Sequence, residues 1–214
     1  MAEAPLARPL APARPDDAML GPLPPARSPL AVGGLPPGKA REAAFHRGNM
    51  VHALLQFLPD HPPARHLELA RRWLMRAASG LDTHEAETLA AQVVAVLQAP
   101  DLAPLFSPGG RAEQRLAGVA GGQVIMGQVD RMCVLPERVL VCDYKSGRHP
   151  PTRVQDTPVL YLRQMAAYRA LLRGLWPERT ITCMLVWTEG PRVDLLPDTL
   201  LDGHAPAAVQ PAAP

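Results

Sequence analysis

The sequence has few of the residues that mark several common protein classes. Only three of its 214 residues are cysteines, too few for a paired disulfide framework or for the four thiolates of a usual iron–sulfur cluster. Aromatic residues make up 4% of the chain, and a net charge of +2 gives no strong overall field for a polyanion. No run of about 18 apolar residues occurs, and the N-terminus, MAEAPLARPLAP, lacks a hydrophobic signal core. We therefore expect a cytoplasmic protein with no membrane segment and no iron–sulfur cluster.

Proline, in contrast, is abundant, with 26 in the chain and ten in the first 40 residues. Proline lacks a backbone donor and restricts the residue before it, and this segment has few large apolar residues to offset the entropy of ordering. We predict a disordered Pro/Ala-rich linker over residues 1–40 and a disordered tail over residues 202–214. A linker at the front indicates that another part of a protein precedes it, and a dispensable disordered tail is the alternative.

Between these segments, residues 41–201 form one predicted domain. Its hydrophobic spacing has a helical period at first, and changes to strand-like apolar runs from Glu113 onward. Helices are predicted over residues 47–58, 66–78, 82–98 and 159–173, and strands over residues 123–135, 139–144, 181–188 and 192–195. Asp82 and Glu85 have the spacing of a capping box at the start of the third helix. The order predicts an α/β fold with a helical insertion.

Two acidic residues, Asp130 and Asp143, lie inside otherwise apolar predicted strands. A buried carboxylate is costly unless it has a partner or a metal. If Pro136 and Glu137 form a two-residue turn, the two aspartates are directly opposed, with Cβ atoms roughly 5 Å apart. Such a pair suits Mg²⁺ or Mn²⁺, and Lys145 shares its face. These are the groups that phosphodiester hydrolysis needs, although a strand-borne salt bridge of Asp143 with Lys145 or Arg131 is the plainer alternative.

Three further features fit a site that processes nucleic acid. Gln164 and Tyr168 are four residues apart on a predicted helix, so an amide and a phenol share one face, as they also do on ordinary surfaces. His52, at the edge of an apolar helical stripe, is a candidate third ligand. A group of arginines, opposed only by Asp156, follows the acidic residues and is consistent with phosphate binding, with a solvated helix face as the alternative. The arginines are Arg148, Arg153, Arg163, Arg169 and Arg173.

The chain resembles the RecB-type branch of the PD-(D/E)XK nucleases. The resemblance rests on five segments in a fixed order, which are RGNMVHALLQFLP, GQVDR, VCDYKSGR, YLRQMAAYR and LVWT. More narrowly, the chain is similar to the C-terminal nuclease domain of the AddA subunit of AddAB helicase–nucleases, of the alphaproteobacterial type. The resemblance covers most of residues 41–201. It implies a restriction-endonuclease-like core in the order α-β-β-β-α-β, with a helical insertion after the first helix.

The resemblance also implies which residues carry the chemistry. His52, Asp130 and Asp143 resemble the metal ligands, and the backbone carbonyl of Tyr144 is a further ligand. Lys145 matches the catalytic lysine, so Asp130, Asp143 and Lys145 are the implied catalytic residues.

Other residues match the family at the periphery of this site. Gln164 and Tyr168 match a Q-x-x-x-Y motif and, with Arg148 and Arg163, are the expected DNA-binding residues. Glu113, in the segment RAEQRLAG, resembles the acidic residue that opens the first core strand and is a candidate accessory residue.

The sequence departs from the family pattern in three respects. Ser146 and Gly147 stand where the family usually has threonine and asparagine, and Gln114 and Arg115 stand where its strand is more apolar. AddA normally also carries a helicase with a P-loop, and no such motif occurs here. We therefore expect a fragment or split-gene product whose helicase portion is missing.

The sequence thus predicts a Mg²⁺-dependent deoxyribonuclease of the exonuclease type, with Mn²⁺ as the other candidate ion. By resemblance it would act on the unwound strand at a double-strand break, with DNA, an AddB-like subunit and the missing helicase portion as partners. The alternative is a non-catalytic fragment that docks on DNA or on AddB. An enzyme for another substrate has little support, since the sequence shows no nucleophile elbow, glycine-rich phosphate loop or thiolate zinc pair.

Overall fold

The computed structural model describes residues 39–76, 79–146 and 150–206. Residues 1–38 of the predicted linker, residues 207–214 of the predicted tail and Arg148 lie outside the described residues. The described chain forms one five-stranded sheet with helices on both faces. None of its helices is long and apolar enough to cross a membrane.

The order of the elements is the order that the resemblance implies. The elements are α1 (Lys39–Phe57), α2 (His66–Leu74), α3 (Thr83–Leu97), β1 (Gly110–Ala120), β2 (Gln123–Val134), β3 (Arg138–Lys145), α4 (Val159–Leu175), β4 (Thr180–Trp187), β5 (Arg192–Leu196) and α5 (Asp198–Asp202). Helices α2 and α3 are the predicted insertion after the first helix. The predicted α/β fold class is therefore confirmed.

Local signals set some boundaries well and others poorly. Asp82 accepts a hydrogen bond from the Glu85 amide and Glu85 accepts one from the Asp82 amide, so the predicted capping box is present. Helix α2 ends at Leu74, earlier than its apolar spacing predicts, and α1 begins earlier, at Lys39. Helix α5 was not predicted, because five residues are too few to show a helical period.

The sheet has the strand order β1-β2-β3-β4-β5, with β3 and β4 parallel and the other neighbours antiparallel. Between β2 and β3, Cys133 lies opposite Leu140 and Arg131 lies opposite Cys142. This is the register that a two-residue turn predicts. The pairing stops at Arg131 and Cys142, although both strands continue. The two strands therefore form a fork, and the next residues along them are the two aspartates of the candidate site.

Each face of the sheet has its own core. Leu140, Cys142 and Tyr144 of β3 pack with α1, α2 and α3. Val139 and Val141 pack with α4. Because side chains alternate along a strand, Asp143 and Lys145 share the face of these valines. We call the two faces the α1 side and the α4 side.

Candidate active site

The acidic residues meet where β2 and β3 stop pairing. The backbone N–H of Tyr144 donates to Oδ2 of Asp130 over 2.6 Å. A side-chain carboxylate thus accepts from a β3 amide just beyond the last paired residues, Arg131 and Cys142. Asp130 and Asp143 both lie at this fork, but they are not the directly opposed pair that the two-residue turn predicts, because the pairing stops one residue before them.

A second irregularity places Glu113 at the same point. Gln114 pairs with Val129 and Ala112 pairs with Arg131, in one unbroken register, but Glu113 and Asp130 between them do not pair. Glu113 has a φ of 51°, in a region that non-glycine residues seldom adopt. Such strain costs about 1–3 kcal/mol and is concentrated at functional sites.

The irregularity changes which way β2 faces. Val129, before the irregularity, packs on the α4 side. After the irregularity, Met132 packs on the α4 side, and the Arg131 side chain donates to carbonyls on the α1 side. The alternation therefore shifts by one residue at Asp130. This shift allows Asp130 and Glu113 to meet His52 of α1.

His52, Glu113 and Asp130 form a compact donor group. One ligand atom from each lies within 4.8 Å of the others. His52 Nδ1 is 3.3 Å from Asp130 Oδ1, and the Gln128 amide donates to Glu113. The sequence predicted His52 and Asp130 as ligands and Glu113 only as an accessory residue. The hydrophobic period does not show where β1 begins or ends, and a single glutamate in such a strand has no local pattern that marks it as a metal ligand.

Asp143 and Lys145 form the other half of the site, on the α4 side. Lys145 Nζ lies 2.5 Å from Asp143 Oδ2 and donates to Gln164 Oε1 over 3.2 Å. The same nitrogen lies 3.9 Å from the centroid of the Tyr161 ring, a cation–π contact. Asp143 is 1% exposed and Lys145 is 5% exposed. Lys145 is the partner of Asp143 Oδ2, and Oδ1 of Asp143 is buried without a hydrogen-bond partner among the described residues.

Gln164 and Tyr168 are buried rather than exposed to a ligand. Gln164 Nε2 donates to the Tyr168 hydroxyl over 3.3 Å, and that hydroxyl donates to the Gln128 carbonyl over 2.9 Å. The Tyr168 ring lies so close to Gly127 that a Cβ there would be 2.5 Å from ring atom Cε1. Stacking of a base on this ring, which the sequence suggested, has no exposed ring face in this structure. The two side chains instead connect Lys145 with β2.

Arg131 has a structural role that its position beside Asp130 conceals. Its guanidinium donates to the carbonyls of Leu105 over 2.6 Å and Leu55 over 3.2 Å, and lies 4.8 Å from the Phe106 ring centroid. Leu55 is one turn beyond His52 on α1, so Arg131 fixes the helix that carries a candidate ligand. The sequence suggested Arg131 only as a possible ion-pair partner of Asp143 and gave no signal for Tyr161, because a carbonyl or ring partner distant in sequence leaves no local pattern.

The electrostatics of the site differ between the two aspartates. Burial raises the pKa of Asp143 to about 6, despite the nearby Lys145 ammonium. Burial also opposes ionisation of Asp130, but His52 and the Tyr144 amide outweigh it and lower its pKa. Burial opposes protonation of His52, yet Asp130 raises its pKa to about 9. Burial and the charge of Asp130 raise the pKa of Glu113.

These residues fit a divalent cation. The donors are carboxylate oxygens and an imidazole nitrogen, which suit Mg²⁺ and Mn²⁺ among other divalent ions. The observation that supports this most directly is Oδ1 of Asp143, which is buried and has no hydrogen-bond partner among the described residues, since a buried carboxylate oxygen normally has one.

The expectation that Asp156 alone opposes the arginines after the site is wrong for two of them, Arg169 and Arg173. Arg153 pairs with Asp156 over 2.8 Å. Helix α5 brings two more carboxylates, so that Arg169 and Arg173 are both within 2.9 Å of Asp198. Arg169 also pairs with Asp202 over 2.6 Å and is 2% exposed. These three arginines are therefore not free for phosphate, while Arg163 is exposed and forms no ion pair within the described part of the chain.

A protein-family match agrees with this geometry, whereas two other comparisons with known proteins do not bear on it. No curated protein matches the chain. Among solved structures, it is similar to that of SSO0001, at 13% identity and a TM-score of 0.32, over 71% of this chain and 70% of the other, a likeness too weak to bear on function. The family model of the PD-(D/E)XK nuclease superfamily matches residues 30–204. The chain therefore belongs to the PD-(D/E)XK nuclease superfamily, whose members use divalent metals.

Proposed function

We propose that the chain is a Mg²⁺-dependent deoxyribonuclease of the exonuclease type, which hydrolyses phosphodiester bonds of unwound single-stranded DNA. The observation that supports this most is the buried ion pair of Asp143 and Lys145, placed at the same strand fork as the His52, Glu113 and Asp130 group. A purely structural ion pair needs no further carboxylate near it. Here two further carboxylates, those of Asp130 and Glu113, lie at the same fork, where the strands break their regular pairing.

The side chains divide the work of hydrolysis between them. His52, Glu113, Asp130 and Asp143, with the Tyr144 carbonyl as an expected further ligand, would hold the cation. When bound, that ion polarises a phosphoryl oxygen and lowers the pKa of a water molecule.

Lys145 supplies a positive charge where negative charge develops on the phosphate. Gln164 and the Tyr161 ring fix its ammonium group from two directions. Tyr168 fixes Gln164 and is itself held by the Gln128 carbonyl. Because this arrangement is buried, little water competes for Lys145, and its charge acts at a low local dielectric. We therefore assign Gln164 and Tyr168 as residues that position Lys145.

The wider context follows from the resemblance. We infer that the chain is the nuclease part of an AddA-type helicase–nuclease for double-strand break repair in the cytoplasm, with a helicase portion and an AddB-like subunit as partners. The order of the five matching segments and the proline-rich composition of residues 1–40 support this.

Cleavage of end-labelled linear single-stranded DNA tests the proposal. The purified chain is incubated with Mg²⁺ or Mn²⁺, beside Asp143→Asn and the matched control Asp156→Asn, whose carboxylate pairs with Arg153 on the surface. We expect the wild type and the control to cut, and Asp143→Asn or added EDTA to stop cleavage. DNA binding without cleavage by the wild type would instead support the non-catalytic docking module, and equal cleavage by Asp143→Asn would exclude this site.

A further inference from the structure

We propose that the exposed face of the β1–β2 hairpin on the α1 side is the surface along which single-stranded DNA approaches the site. In this arrangement Arg115 binds a backbone phosphate adjacent to the one that is cleaved. The proposal rests on the nuclease function above and adds to it the binding surface.

The burial of the site restricts the direction of approach. Asp143 and Lys145 are covered by α4 and by their own strand. Among the described residues of the site, the partly exposed ones are His52, Glu113 and Gln128. All three lie at the fork or toward the α1 side, so a DNA strand reaches the ligands from that side.

The β1–β2 hairpin continues from the site on that side. Its other face is packed tightly on α4, because a Cβ on Gly118 would lie 2.9 Å from Leu171 and one on Gly127 would lie against Tyr168. Gly121 and Gly122, both with positive φ, close the hairpin with a two-residue turn. The hairpin is thus held firmly along one face.

The opposite face of the hairpin is apolar and exposed at its far end. Val119 is 64% exposed and Met126 is 52% exposed. They share this face because Val119 pairs with Val124, and Met126 lies two residues further along β2. A half-buried antiparallel sheet normally has polar side chains on its solvent face. Apolar side chains here indicate a surface that contacts a ligand.

Arg115 lies between this apolar end and the ligand group. It is the direct partner of Gln128, whose amide donates to Glu113. Opposed residues share a face, so Arg115 is on the exposed side, roughly 7 Å along the strand from Glu113. It is exposed and forms no ion pair within the described residues, whereas Arg153, Arg169 and Arg173 do.

A guanidinium with no ion pair among the described residues, placed beside the donor group, suits a phosphate in particular. Guanidinium binds phosphate through two parallel hydrogen bonds. The resemblance does not supply this residue, since the family's strand is more apolar here. An apolar face alone fits a protein partner equally well, but its continuity with the ligand group and the unpaired charge of Arg115 favour DNA.

Fluorescence anisotropy with a labelled 20-nucleotide oligothymidylate tests the surface. The variant is Arg115→Gln, and the matched control is Arg138→Gln, an exposed arginine at the start of β3, roughly 24 Å along that strand from Lys145. We expect Arg115→Gln to weaken the Kd about tenfold at low salt and to reduce the salt dependence by about one phosphate contact, and Arg115→Glu to weaken it further. In cleavage assays KM rises and kcat is retained.

The outcomes separate this proposal from the nuclease function. If the wild type cuts DNA and Arg115→Gln has the Kd and KM of Arg138→Gln, the surface is wrong and the nuclease function stands. If no variant cuts but Arg115→Gln still weakens binding, the nuclease function is wrong and the surface stands. A further variant, Val119→Ser with Met126→Ser, weakens oligothymidylate binding if DNA lies here. Unchanged binding overturns the DNA path beyond Arg115. Thermal unfolding of each variant shows that the fold is retained.

Discussion

The two sides of the sheet contribute different halves of the same site. On the α4 side, Asp143 and Lys145 are almost wholly buried, and the lysine donates a hydrogen bond to Gln164. On the α1 side, His52 and Glu113 are partly exposed beside an uncovered hairpin face. The buried side has charges in fixed positions and little water, which is what transition-state stabilisation needs. The exposed side has the access that a polymeric substrate needs, so packing and access are separated in one small domain.

The same contrast appears between the two central aspartates. Asp130 accepts from the Tyr144 amide and contacts His52, whereas the partner of Asp143 among the described residues is Lys145. Burial raises the pKa of Asp143 to about 6, although Lys145 acts in the opposite direction. Asp143 is therefore the carboxylate that gains most from a cation, and its environment costs stability until one binds.

The largest expected effect is on the α4 side. Lys145→Met removes the charge and keeps much of the volume, so cleavage should fall by roughly a thousandfold. It should also lower the free energy of unfolding by about 3 kcal/mol at neutral pH, because Asp143 is left buried and unpaired. The double variant Asp143→Asn/Lys145→Met should regain most of that stability in urea unfolding, and no activity. A single variant as stable as the wild type would contradict a buried ion pair.

On the α1 side, Glu113→Gln tests metal binding with the shape preserved. Glu113 is in the donor group with His52 and Asp130. Losing its charge should weaken Mn²⁺ affinity about tenfold or more, measured by calorimetry or by the metal-dependent rise in Tm. Glu137→Gln, in the exposed turn between β2 and β3, is the control and should bind Mn²⁺ like the wild type. Equal affinities for the two variants would remove Glu113 from the ligand set.

Tyr161 tests how the buried side positions its lysine. Its ring centroid lies 3.9 Å from Lys145 Nζ. Tyr161→Leu should lower kcat about tenfold with KM unchanged, because the cation–π contact is lost. Tyr161→Phe keeps the ring and should restore kcat. If both variants lose kcat equally, the hydroxyl or the overall packing is responsible, and the ring does not position the lysine.

The smallest expected effect is on the free energy of unfolding. It distinguishes close packing at one glycine from the general effect of replacing a glycine by alanine. Gly127→Ala would force Tyr168 to move, and should lower the free energy of unfolding by about 1–3 kcal/mol. Gly174→Ala, near the end of α4 with no atom within 4 Å of the added Cβ, should raise it by up to about 1 kcal/mol. The same sign for both in urea unfolding would show that the hairpin is not tightly packed on α4.

Local sequence patterns were enough for part of the site. The two-residue turn at Pro136 and Glu137 fixes the β2–β3 register as far as Arg131 and Cys142, and alternation along β3 places Asp143 and Lys145 on one face. The predicted direct opposition of Asp130 and Asp143 is not formed, because the alternation of β2 shifts at Asp130. These are short-range rules of turn length and strand period, so they could be applied without the fold.

Other parts depend on contacts between distant segments. Glu113 joins the donor group through a φ of 51°, which no residue pattern announces. Arg169 and Arg173 form ion pairs with Asp198 and Asp202 of α5, a helix too short to predict. The membership of the site was therefore largely predictable, whereas its surroundings, and the charge left free for DNA, were not.

Single-turnover cleavage of labelled single-stranded DNA over a range of protein concentrations tests the division between the two sides most directly. We predict that Lys145→Met stays slow at saturating protein, whereas Arg115→Gln needs more protein and then reaches the wild-type rate. If Arg115→Gln stays slow at saturation, or if Lys145→Met recovers there, the assignment of chemistry to the α4 side and of binding to the hairpin face is contradicted.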